Sequence, residues 1–200
     1  LIGVNDGHYK GENLISNGSC TTNCVAPLVK LIDKEFGFAE CIMTTIHAYT
    51  ASQNLVDNSH SDLRRARSAA INIVPTGTGA AKAVVAAYPE VKGRFAASAV
   101  RVPVPVGSYS ELVSKLNKKT TVDEVNQVLE DAATQDLVEI VKVSYEPLVS
   151  CDIIGNSASA IVDSTLTTVI SDDMIKISAW YDNEYGYSCR LIEMAEKIGS

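Results

Sequence analysis

Among the residues able to do covalent chemistry in this 200-residue chain, Cys20 has the most suggestive setting. It sits in Ser16-Asn17-Gly18-Ser19-Cys20-Thr21-Thr22-Asn23-Cys24, a run of small polar residues leading into Val25, Ala26, Leu28, Val29, Leu31 and Ile32. Ser19 is a natural N-cap, which places Cys20 in the first turn of a helix. Unpaired N–H groups and the positive end of the helix dipole favour a thiolate there. An ordinary thiol, with a pKa of about 8.5, is only about 3% ionised at neutral pH. A helix N-terminus that lowers this value makes a nucleophile. His47, closing an Ile- and Thr-rich stretch, is the natural proton acceptor for it. The alternative is a histidine hydrogen-bonded at a sheet edge. Cys24, on the same helix face, is either a resolving thiol or a packed cysteine. His8 and His60 lie in polar turns. Cys41, Cys151 and Cys189 read as apolar or strand residues without a role. No spacing suits a metal, so none is expected.

Two arginines and a threonine-glycine turn suggest anions. Arg101 interrupts Ala99, Val100, Val102 and Pro103, and a guanidinium beside a buried strand needs a carboxylate or phosphate. Arg65 belongs to Asp62-Leu63-Arg64-Arg65-Ala66-Arg67, either a second anion ligand or part of a solvated face. Thr76-Gly77-Thr78-Gly79 opens a helix and has the make-up of a phosphate cradle. These residues together describe a thiol enzyme acting on a phosphorylated substrate.

The elements that must position them follow from periodicity and turn chemistry. Leu1 to Asn5 reads as a strand, and Asn13 to Ser16 as a second extended piece. A helix spans Thr21 to Phe36, with Pro27 bending it or breaking its ladder, and stops at Gly37. A strand runs from Cys41 to Ala48, then a long polar loop from Tyr49 to Val74. Thr78 caps a helix reaching Tyr88. Strands over Phe95–Val102 and Ser108–Leu116 flank Pro103 and Pro105. Thr121-Val122-Asp123-Glu124 is a capping box for a helix to Ala133. Further strands fall near Glu139–Ser144, Ser159–Asp163, Leu166–Ile170 and Met174–Tyr181, and a last helix covers Tyr187–Ile198. The fold class is α+β: a mainly antiparallel or mixed sheet with helices on one face. No G-x-G-x-x-G or βαβαβ pattern marks a dinucleotide-binding half.

With 46% apolar and 20% charged residues, the chain has a globular composition. Its net charge of −7 argues against nucleic acid or anionic membrane partners. An odd number of cysteines without framework spacing fits a reducing, cytoplasmic compartment. The chain opens without a Met and reads as part of something longer.

The stretches Ser19–Cys24, His47-Ala48-Tyr49-Thr50, Gly77–Val84, Arg101-Val102-Pro103 and Tyr181-Asp182-Asn183-Glu184 occur in the order found in phosphorylating glyceraldehyde-3-phosphate dehydrogenases. The resemblance runs over essentially the whole chain. It implies the catalytic domain of that family over 1–200, with a long S-loop and a closing helix from about residue 186. The Rossmann domain that precedes it in the family is absent here, and the isolated domain is expected to be inactive as a dehydrogenase. The resemblance implies that Cys20 attacks the aldehyde of glyceraldehyde 3-phosphate, with His47 as acid–base partner. Hydride passes to NAD, with NADP not excluded, and inorganic phosphate cleaves the thioester. The family's substrate-phosphate site maps to Thr50 and Arg101. Its inorganic-phosphate site maps to Ser19, Thr21, Thr78 and Gly79, with Arg65 bordering both. Asn183 matches the residue that holds the nicotinamide carboxamide. A homotetramer built through the sheet and the S-loop is implied as well. Gly18, Gly77 and Tyr185 depart from the usual alanine, serine and tryptophan without removing a reacting group.

Three other readings compete. One is erythrose-4-phosphate dehydrogenase, which uses the same thiol and histidine. Another is a cofactor-independent cysteine hydrolase or acyltransferase. The third is a non-catalytic oligomerisation domain.

Overall fold

One mixed eight-stranded sheet organises the chain in the computed structural model, which describes residues 1–199. The helices are α1 (Cys20–Phe36), α2 (Ala80–Ala87), α3 (Val122–Thr134) and α4 (Tyr185–Gly199). The strands are β1 (Phe38–Ala48), β2 (Val74–Thr76), β3 (Phe95–Val102), β4 (Ser108–Leu116), β5 (Val141–Ser144), β6 (Ala160–Asp163), β7 (Thr168–Ile170) and β8 (Met174–Tyr181). Their order is β2-β3-β1-β4-β8-β6-β5, with β7 added along β8. Pairings are antiparallel except β1 with β3 and β5 with β6. The α+β class expected from the sequence is the one found.

The two faces of the sheet differ because the strands alternate. In β4, Ser108, Ser110, Leu112, Ser114 and Leu116 are buried, while Tyr109, Glu111, Val113 and Lys115 point the other way. The buried face of β1 carries Cys41, Met43, Thr45 and His47. Helix α1 lies across this face and sinks Cys24, Val25, Leu28, Val29 and Ile32 into the main core cluster. A fully buried Leu or Ile side chain contributes about 1.5–3 kcal/mol, so this stripe fixes α1 on the sheet.

The ends of α1 are set by local chemistry. Ser19 has extended backbone and its Oγ accepts the Thr22 N–H at 3.1 Å, while Gly37 at φ 61° closes the C-terminus. The helix continues through Pro27 as one element. The capping box of α3 is complete, with Thr121 and Glu124 each accepting the other's N–H.

The structure corrects four expectations. Leu1 to Asn5 is a turn, with the Val4 and Asn5 N–H groups both donating to the Leu1 carbonyl. Leu1 and Val4 are buried at a spacing of three, so the alternation of a strand is missing. Asn13 to Ser16 forms no strand. The long loop delivers β2 at its end, a three-residue edge strand containing Pro75 that pairs with β3. Cys151 is exposed in a turn rather than in a strand.

Candidate active site

Strand register assembles the site before any side chain is considered. In the parallel β1–β3 pair His47 stands opposite Arg101, and in the β2–β3 pair Val74 stands opposite Arg101. The first turn of α1 lies above the same corner. Cys20 Sγ is 3.4 Å from His47 Nε2. The other ring nitrogen, Nδ1, is 2.7 Å from the Ala48 carbonyl and 2.8 Å from Arg101 Nη1.

A cavity of about 370 Å³ opens above this pair. It is lined by Ser19, Cys20, Thr21, His47, Arg65, Thr78, Gly79 and Arg101, which brings together eight of the ten residues singled out from the sequence. Arg65 is held in place before anything binds. Its Nε donates to Thr76 Oγ1 at 2.8 Å, its Nη2 donates to the Gly77 carbonyl, and Asp62 lies 3.6 Å away. Arg101 enters none of the ion pairs found among the described residues. Its Nη1 donates to the Ala48 carbonyl at 2.7 Å, and its buried Nε has no partner. No carboxylate among the described residues therefore supplies the partner that the sequence called for.

Thr50 and Asn183 lie outside the lining of this cavity. The Thr50 hydroxyl is 2.8 Å from that of Ser52. Asn183 is buried, and its Oδ1 accepts from the Gly107 N–H at 3.1 Å and from the Ser108 hydroxyl at 3.0 Å. Gly107 adopts φ 95° and a Cβ there would collide with the Ser150 carbonyl, so this seat for Asn183 requires glycine. Thr21 lines the cavity, yet its hydroxyl is committed to Tyr181 at 2.8 Å. Thr78 caps α2 from one residue further out than expected: Gly79 is the N-cap, and Thr78 Oγ1 accepts the Ala80 N–H.

Tyr181 is a supporting residue to which the sequence reading gave no role. Its buried hydroxyl joins Thr21 on α1 to Thr45 on β1, and its ring meets the His47 ring edge-on at 5.9 Å. The available signal was its inward parity in β8, shared with Ile175, Ile177 and Ala179.

Burial at the site works against the thiolate expected at the helix start. Burial pushes the Cys20 thiol up, against opposing contributions from the Thr21 backbone N–H and Arg101. Burial, with Arg101 beside it, holds His47 down at about 4. Both directions favour the uncharged forms, a thiol with an imidazole base 3.4 Å away. Cys24 is fully buried, and desolvation drives its thiol far up. Among the described residues, no cluster of three His, Cys, Asp or Glu side chains is placed to hold a metal ion, and no helix is long and apolar enough to cross a membrane.

The half-buried Cys20 and the buried His47 thus share one cavity with two arginines, the make-up of an α+β domain with a thiol–imidazole pair beside cationic side chains. The chain belongs to the family described as glyceraldehyde 3-phosphate dehydrogenase, C-terminal domain, whose model matches residues 19–183. It is 52% identical over its whole length to the glyceraldehyde-3-phosphate dehydrogenase of Mycobacterium tuberculosis. It is 50% identical over 201 aligned positions to a chloroplastic glyceraldehyde-3-phosphate dehydrogenase of Arabidopsis thaliana. The chain spans 59% of the length of the first and 51% of the second.

Proposed function

We propose that this chain is the catalytic part of a dehydrogenase that oxidises D-glyceraldehyde 3-phosphate to 1,3-bisphosphoglycerate in glycolysis. The observation that carries the reading is Cys20 Sγ at 3.4 Å from His47 Nε2, at the floor of a cavity whose wall carries Arg65 and Arg101. Arg101, which has no carboxylate partner among the described residues, takes the substrate phosphate. Arg65, Thr78 and the N–H groups at the start of α2 take inorganic phosphate.

His47 removes the thiol proton as Cys20 attacks the aldehyde carbon, then returns it to the new oxyanion to give the hemithioacetal. The Cys20 backbone N–H at the start of α1 is placed to stabilise that oxyanion. His47 next accepts the hydroxyl proton as the carbon is oxidised, which leaves a thioester on Cys20. Phosphate attacks the thioester carbonyl, the acyl phosphate leaves, and the thiol is regenerated. A nicotinamide cofactor, NAD or NADP, supplies the hydride acceptor when bound. Asn183 fits one edge of it: both donors on its Oδ1 fix the amide, so Nδ2 is left to donate to a carboxamide oxygen.

Exposed apolar surface supports a larger assembly. Leu14, and Leu191 and Ile192 on α4, are exposed and suit a docked cofactor-binding domain, with α4 as the closing helix. On the uncovered sheet face Ile42 is 61% exposed, and the long loop between β1 and β2 exposes Leu55, Val56, Leu63, Ile71 and Ile73. These surfaces favour a homotetramer, which sedimentation would register. A cytoplasmic setting suits the free thiols, although chloroplastic relatives belong to the same family.

The test is phosphate-dependent NAD⁺ reduction by the protein in which this chain is joined to a cofactor-binding domain. Glyceraldehyde 3-phosphate is expected to turn over faster than erythrose 4-phosphate. The reverse order would favour the sister activity, and hydrolysis of thioesters without NAD⁺ would favour a hydrolase.

A further inference from the structure

Arg65 is aimed by neighbours that do not themselves reach the ligand. Its Nε donates to Thr76 Oγ1 at 2.8 Å and its Nη2 to the Gly77 carbonyl at 3.1 Å. Nε–H and one Nη2–H lie along one edge of the planar fork, so Thr76, the last residue of β2, and Gly77 after it hold that edge. The edge formed by Nη1 and Nη2 is left for a bidentate oxyanion. Arg65, Gly77 and Thr78 line the cavity, and Thr76 stands behind them outside its lining. The Thr76 hydroxyl is oriented in turn. It donates its one proton to Asp62 Oδ2 at 3.3 Å, which turns a lone pair towards Arg65. Asp62 Oδ1 accepts the Arg64 and Arg65 backbone N–H groups at 2.9 and 3.4 Å. One carboxylate thus fixes both the base of the arginine and the acceptor at its Nε. Thr76 takes its own place from the sheet: it stands opposite Ala99 in the β2–β3 register, two residues along from the Val74–Arg101 pair. The edge strand therefore sets Arg65 relative to Arg101. The two cations repel, since after burial the Arg65 charge is the main cause that lowers the Arg101 pKa, so Arg65 needs a tether to stay beside it.

We propose that Thr76, oriented by Asp62, is a positioning residue that presents the free edge of Arg65 to the inorganic phosphate that attacks the acyl intermediate on Cys20. This rests on the dehydrogenase reading of the site and deepens it, because the aim of the second anion is assigned to a strand-end hydroxyl outside the cavity. Thr76 touches neither reacting partner and acts through Arg65. With its Nε edge pinned, the arginine is ordered before phosphate arrives, so little side-chain freedom is lost on binding. Removing the hydroxyl leaves Nε without its acceptor and lets the side chain turn away from Arg101. The loss falls on cleavage of the thioester by phosphate, not on the earlier attack of Cys20 on the aldehyde.

The experiment compares Thr76→Val and Thr76→Ser in the intact protein carrying this chain. Valine keeps the branched shape and removes the hydroxyl, whereas serine keeps the hydroxyl. Thr76→Ala takes the place of Thr76→Val should the latter fail to fold. NADH formation is followed at varied inorganic phosphate, at varied glyceraldehyde 3-phosphate, and as a rapid burst without phosphate, which reports acylation alone. Thr76→Val should lower kcat/KM for phosphate about ten-fold and leave the burst rate and kcat/KM for the aldehyde within about two-fold of the parent. Thr76→Ser should stay within about three-fold of the parent on every measure. On an Arg65→Gln background the valine change should add less than about two-fold. An unchanged kcat/KM for phosphate, equal losses in the burst and in the phosphate step, a serine variant as impaired as the valine one, or the full effect on the Arg65→Gln background overturns the positioning role. Binding of inorganic phosphate to the resting protein, with glycerol 3-phosphate filling the Arg101 site, is read in parallel by ³¹P line shape and needs no turnover. Phosphate binding that weakens in Thr76→Val while the parent reduces no NAD⁺ sinks the dehydrogenase reading alone. Turnover in the parent, with phosphate binding and kcat/KM both indifferent to Thr76, sinks the positioning role alone.

Discussion

Cys20 and Cys24 lie one turn apart on the same helix and present the same atom to different surroundings. Cys20 occupies the first turn, where Ser19 caps the helix, the cavity opens and His47 stands 3.4 Å away. Cys24 is fully buried within the main core cluster. Burial raises both thiols, but only at Cys20 is it opposed by N–H groups and a guanidinium. The contrast teaches that a helix start does not by itself make a cysteine reactive. The same polar opening must also meet an imidazole and cationic side chains, which here come from β1, β3 and the loop between β1 and β2.

Substitution should separate the two turns. Cys20→Ser is expected to lower phosphate-dependent NAD⁺ reduction on the order of 10⁴-fold or more, since it removes the group that carries the intermediate. His47→Asn should cost about 10²- to 10⁴-fold in kcat/KM. The same change has a second readout in acid. The folded-state pKa of His47, about 4, lies below its ordinary 6.5, so the unfolded chain binds this proton more readily. Stability is full above pH 6.5 and is lost as pH falls towards 4, by about 3 kcal/mol at most. Urea unfolding at several pH values should therefore show a shallower acid limb in His47→Asn. The smallest effect on turnover belongs to Cys24→Ser. It places a hydroxyl in a buried apolar site, at a cost of about 1–3 kcal/mol in stability, and should leave kcat within a few-fold of the parent.

How much of this was readable from the sequence depends on whether the cause was local. Helix α1, strands β3, β4 and β8, and the capping box of α3 have local causes: a cap, a period, a glycine stop. Leu1–Asn5 failed because five apolar and small residues satisfy a strand and a turn equally well. The burial of Leu1 and Val4 in the main core cluster decides between them. The three residues of β2 are a strand only because β3 offers an edge. In the site, residue types pointed to Cys20, His47, Arg65 and Arg101. The His47–Arg101 contact comes from parallel register across 54 residues of chain, which no local pattern encodes. The burial that works against a thiolate at the helix start is likewise a property of the assembled site.

The central claim is that Cys20 carries the substrate covalently. Mixing the intact protein with glyceraldehyde 3-phosphate and NAD⁺ in the absence of phosphate should trap the thioester, and peptide mass spectrometry can locate it. The account predicts a 3-phosphoglyceryl adduct on the Cys20 peptide, with Cys24, Cys41, Cys151 and Cys189 unmodified, and its disappearance within one turnover once phosphate is added. An adduct on another cysteine, or turnover in phosphate with no adduct ever forming on Cys20, would contradict it.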